Sequence, residues 1–87
     1  MIKTAAEARK VSIDALLAIP EVSTTLSRIQ SLIDIAAGLT QRSTSYWIDE
    51  DRTGLTQYQR ERLVQYLEEL GYKISYGGGG YQITISW

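Results

Sequence analysis

The sequence predicts a small α+β fold of order α-α-β-α-β-β, a three-stranded antiparallel sheet with helices packed on one face. Three observations predict it. The segment from Tyr72 to Trp87 alternates apolar and polar residues around four consecutive glycines, the period of a hairpin with one buried face. Two stretches before it place apolar residues at helical spacing behind capping signals. Between these lies Ser43 to Ile48, rich in Thr, Tyr, Trp and Ile, which reads as a short strand.

Thr4-Ala5-Ala6-Glu7 is a capping-box pattern, and Ala8, Val11, Ala15, Leu16 and Ile19 follow on one helical face. Pro20 ends this helix, because its ring pushes Ile19 out of the α region, and it suits the first turn of the next. The second helix carries Val22, Leu26, Ile29, Ile33 and Ala36/Ala37 on one stripe widened by Leu32, with Gly38 as the expected left-handed cap. Asp49 to Gly54 reads as a polar turn. Thr56 with Gln59 opens the third helix, whose buried face is expected at Leu63, Tyr66, Leu67 and Leu70. Gly71 and Tyr72 take the two positions beyond its end. In the hairpin, Tyr72, Ile74, Tyr76, Tyr81, Ile83, Ile85 and Trp87 share one face; Lys73, Ser75, Gln82, Thr84 and Ser86 share the other. If the last strand lies at a sheet edge, its free amides and carbonyls offer a pairing template.

Composition narrows the function. The 87 residues, with 44% hydrophobic and 22% charged content, suit one globular domain spanning residues 1–87. Burial on partner binding counts heavily in a chain this short. There is no Cys and no His, so disulfides, the commonest transition-metal ligands and the commonest general base are excluded. A net charge of −1 sets up no field towards nucleic acid or an anionic membrane. No apolar run reaches membrane-spanning length and the first residues do not read as a secretion signal. The expected compartment is a cytoplasm, of a cell or of an infected host.

Each candidate site has a plainer explanation. Asp49-x-Asp51-x-Thr53-Gly54 matches the first half of a calcium loop, but Arg60 stands where a bidentate Glu is required, so a solvated turn is expected. Gly77 to Gly80 lacks the following helix and the Lys of a phosphate loop and reads as a hairpin tip. No His or Cys is present to activate a Ser or Thr nucleophile, no paired carboxylates fall at a convincing spacing, and Glu68 and Glu69 point apart on their helix, so no catalysis and no cofactor is expected. Arg60 and Arg62 beside a hairpin raise a winged-helix reading. Against it stand Glu61, Glu68 and Glu69, the lone Lys73 of the hairpin, and a first strand that follows two helices.

The six Tyr and two Trp, with no Phe, are the strongest bias: such side chains suit interfaces, though they also fill the rim of a core. The expected surface comprises Tyr46, Trp47, Tyr76, Tyr81, Ile85 and Trp87.

The ordered series Ala6-Glu7-Ala8-Arg9, Ile29…Ile33…Ala36-Ala37-Gly38, Tyr46, Tyr66-Leu67-Glu68-Glu69-Leu70-Gly71-Tyr72 and terminal Ile85-Ser86-Trp87 resembles small accessory and virion structural proteins of tailed bacteriophages, notably cyanophages. The resemblance implies a non-enzymatic module in a virion or the host cytoplasm, partnered by other virion proteins or by itself as a homo-oligomer. It brings no catalytic residues. The four glycines and the acidic turn fall outside the family pattern. The alternative is a small host-directed regulator, either an inhibitor of a host protein or a winged-helix-like nucleic-acid binder.

Overall fold

The computed structural model describes residues 2–87. It is an α+β fold with helices α1 (Ala5–Leu17) and α2 (Pro20–Gly38), strand β1 (Ser43–Trp47), the one-turn helix α3 (Glu50–Thr53), helix α4 (Gln57–Glu69) and strands β2 (Lys73–Gly77) and β3 (Gln82–Ser86). The helices pack on a three-stranded antiparallel sheet of order β1-β3-β2. Ile29, Leu55, Leu63, Ile83 and Ile85 are among the fully buried residues between the two layers.

Local chemistry explains most boundaries. The Thr56 hydroxyl accepts from the Gln59 amide while the Gln59 side chain accepts from the Thr56 amide, a complete capping box. At Thr4 only half of this forms: its hydroxyl accepts from the Glu7 amide and donates to the Glu7 carboxylate, which does not turn back to the chain. Ile19 is extended before Pro20, which occupies the first position of α2. Beyond α4, the Gly71 amide donates to Glu68 and the Tyr72 amide to Leu67, the paired bonds of a Schellman end.

The same motif closes α2, two residues later than expected. Thr40 donates to Ala37 and Gln41 to Ala36, and the residue with positive φ is Thr40, at 63°. Gly38 remains helical, so the expected glycine cap is a threonine cap. The polar turn at Asp49–Gly54 is also more ordered than expected: it winds into α3, and Gly54 closes it at φ 70°, a conformation glycine adopts without strain.

Packing shifts two helix faces. On α4 the buried residues are Leu63, Val64 and Leu67; Tyr66 is half-buried and Leu70 exposed, because the sheet meets the helix on the Val64 side. On α1 none of the residues is buried and Val11 is exposed. Its half-buried side chains, Ile13, Leu16 and Leu17, rest against α2 and α4 from outside the main core. Leu55, between α3 and α4, is a core residue whose place no periodicity announced.

Strand order decides the most. β3 pairs with β1 on one side and β2 on the other, Ile83 lying opposite both Tyr46 and Tyr76. The last strand is therefore the centre of the sheet, and its main-chain groups are spent within it. The free edges belong to β1 and β2.

Candidate functional site: the hairpin tip and the outer face of α4

From α2 onwards the chain runs helix, strand, helical turn, helix, hairpin, with the final strand between the other two. α3 and α4 are joined by Gly54, Leu55 and Thr56, a short glycine-containing turn of the kind that makes a helix-turn-helix. The β2–β3 hairpin stands beside α4 as a wing. One further helix, α1, precedes this series.

α4 lies against the hairpin through β2. On α4 the exposed residues include Tyr58, Glu61, Arg62, Gln65, Glu68 and Glu69. The Arg62 guanidinium lies 5.1 Å from the Tyr58 ring centre and donates to the Tyr58 hydroxyl and to Gln65. Arg60 is turned inwards and donates to the Leu55 carbonyl at 2.7 Å, bracing the turn. One outward arginine against three glutamates makes this face acidic. Tyr76, on β2, feels it: loss of hydration, then Glu68, then Glu61 raise its phenol above the ordinary 10.0.

The wing ends in an uncharged tip. Gly78 approaches the Trp47 ring so closely that a Cβ there would lie 2.9 Å from it, so any other residue would have to displace the ring. Trp47, 42% exposed, also lies beneath the Arg52 guanidinium at 5.0 Å. Tyr81, 49% exposed, lines the same depression as Trp47 and Arg52.

The six expected interface residues do not form one surface. Trp47 and Tyr81 come together at the tip. Tyr76, 56% exposed, is near that end but on the opposite face of the sheet, the face of Ile83. Trp87, 37% exposed, lies at the far end, edge-on to Tyr72 with ring centres 6.3 Å apart. Tyr46 is half-buried against the core. Ile85 has no exposed surface and cannot meet a partner; the central place of β3 puts it between the layers. Arg28, Arg42 and Arg52, which surround β1, were not singled out in the sequence because they are scattered over three segments.

No group of three metal-ligating side chains converges among the described residues, and none of their helices is long and apolar enough to cross a membrane. Comparison with protein-family models, curated proteins and solved structures returned no match.

Proposed function

We propose that this protein is a non-catalytic docking module, a winged-helix frame turned to protein–protein contact. It acts by self-association or by joining other components of a particle. The motif series set out above supports a place among small accessory or structural proteins of tailed phages. One observation carries the docking reading: the outer face of α4 is acidic, while the exposed aromatics Trp47 and Tyr81 share one open depression whose charges are of both signs, Asp49, Glu50 and Asp51 with Arg52 and Arg60. Tyr and Trp bury large area at small entropic cost, whereas duplex binding depends on cations that neutralise phosphates.

Light scattering over a concentration series at low and high salt tests the reading. A defined, salt-resistant oligomer that dissociates in the Trp47→Ala/Tyr81→Ala double variant is the expected result for self-association. A monomer that co-sediments with purified phage particles, and loses this in the same variant, is the expected result for docking on other components.

Connectivity favours a second reading, a nucleic-acid binder using α4 and the wing. Binding to a random duplex that falls steeply with salt and is weakened by Arg62→Glu would establish it and displace the first.

A further inference from the structure

The outward edge of β1 is unprotected. The Ile48 amide donates to the Tyr81 carbonyl and the Trp87 amide to the Arg42 carbonyl. Antiparallel ladders alternate, so Thr44 and Tyr46 bond inwards to β3, and the amides and carbonyls of Ser43, Ser45 and Trp47 point away from it. Among the described residues no strand lies beyond them. Natural edges are blunted by Lys, Pro, bulges or covering segments. Ser43-Thr44-Ser45-Tyr46-Trp47 carries no charge and no proline and keeps an unbroken register with β3. The β2 edge differs, since it carries Lys73.

One recess beside β1 is basic, while Asp49, Glu50 and Asp51 line the neighbouring depression with Trp47 and Arg52. Arg28 from α2 and Arg52 from α3 line, with Ser45, Tyr46 and Trp47, a recess of about 270 Å³. Arg42 immediately precedes the strand. Of these three arginines, only Arg52 has a carboxylate partner among the described residues, Asp49 at 3.5 Å. A second copy docked edge to edge would set these arginines against their own counterparts, which is unfavourable.

We propose that the free edge of β1 is a strand-addition site for an extended, acidic segment of a partner protein, an inference that rests on the docking reading above. Main-chain bonds from Ser43, Ser45 and Trp47 hold the added strand. The arginines select carboxylates on it, and Trp47 covers an apolar side chain between them.

The test is an NMR titration of the isotope-labelled whole chain with two blocked peptides, one alternating Glu and Val, the other alternating Lys and Val. With the Glu peptide, the Ser43, Ser45 and Trp47 amides shift and their hydrogen exchange slows about tenfold or more. The Lys peptide leaves them unchanged. Arg28→Glu, on an exposed helix position, weakens Glu-peptide binding by about tenfold or more, and Arg52→Gln provides a second variant that acts on the same recess. Equal response to both peptides, shifts centred on the α1–α4 groove, or silent β1 amides would overturn the proposal. So would protection of those amides that rises with protein concentration alone, since β1 would then pair with itself. Silent amides beside an intact salt-resistant assembly would remove only this site, whereas salt-sensitive duplex binding would remove the docking reading beneath it.

Discussion

Thr40 is the residue whose conformation departs furthest from its chemistry. A β-branched side chain at φ 63° is strained, and Thr40→Gly is expected to raise unfolding free energy by about 1 kcal/mol. Gly38 sits in helical conformation with open space where a Cβ would go, so Gly38→Ala should also stabilise, by about 0.5–1 kcal/mol. Urea denaturation of both variants decides between the two placements of the cap: were Gly38 the left-handed residue, its alanine variant would lose stability. Tyr76 is the second residue with a measurable signature. Its phenol is raised above 10.0 by lost hydration, Glu68 and Glu61, so the folded state holds the proton more tightly than the unfolded chain does. That contribution to stability is complete below pH 10 and disappears as pH climbs through the raised value. Tyrosinate absorbance or ring NMR shifts should show Tyr76 titrating above 10, moving back towards it in Glu68→Gln. An unmoved midpoint in that variant would remove the carboxylate from the explanation.

Among the elements, β3 holds the sheet together and β1 leaves it open. Ile85 is fully buried, between Thr44 on one neighbour and Ile74 on the other. Ile85→Ala should therefore cost about 2–5 kcal/mol. Trp87, partly exposed and braced by Tyr72 and by the Arg42 carbonyl, should cost less when replaced by alanine. Thermal melts of the pair check the order; an equal or larger loss at Trp87 would mean that the end of β3 is more important to the sheet than its centre. The hairpin was legible because period-two alternation, the glycine tip and the stop at Gly71 are all local signals. The helical turn at α3 and the core role of Leu55 were not. A single turn has too few residues for periodicity, and Leu55 is buried only because α3 and α4 meet there.

For the molecule as a whole, stability is graded from α1 inwards. Helix α1 contributes no buried residue, whereas β3 is paired on both sides and α2 buries Val22, Thr25, Ile29, Ile33 and Ala36. Hydrogen exchange should thus be fastest in α1 and slowest in β3 and the middle of α2. Uniform protection across all helices would show α1 folding as one unit with the rest. The same architecture bears on function: the helix, strand, helical turn, helix and hairpin on which the second reading rests form a series only once α1 is set aside and α3 is counted as a helix. The electrostatics were legible, since Glu61, Glu68 and Glu69 lie within one helix. Where the aromatics fall was not, since Trp47 and Tyr81 meet only through the β1–β3 pairing.

The sequence by itself determined the α+β class, the helix starts at Thr4, Pro20 and Thr56, the stop at Gly71, and which face of each hairpin strand is apolar. These follow from sterics, hydrogen bonds and periodicity within a few residues of chain, where each signal needs no knowledge of its neighbours in space. Tertiary structure alone decided that β3 sits between β1 and β2. Alternation tells a strand which side to bury but not which strands lie beside it, because all three carry the same pattern. That one choice buried Ile85, freed the edge of β1 and brought Arg28, Arg52 and Trp47 around it.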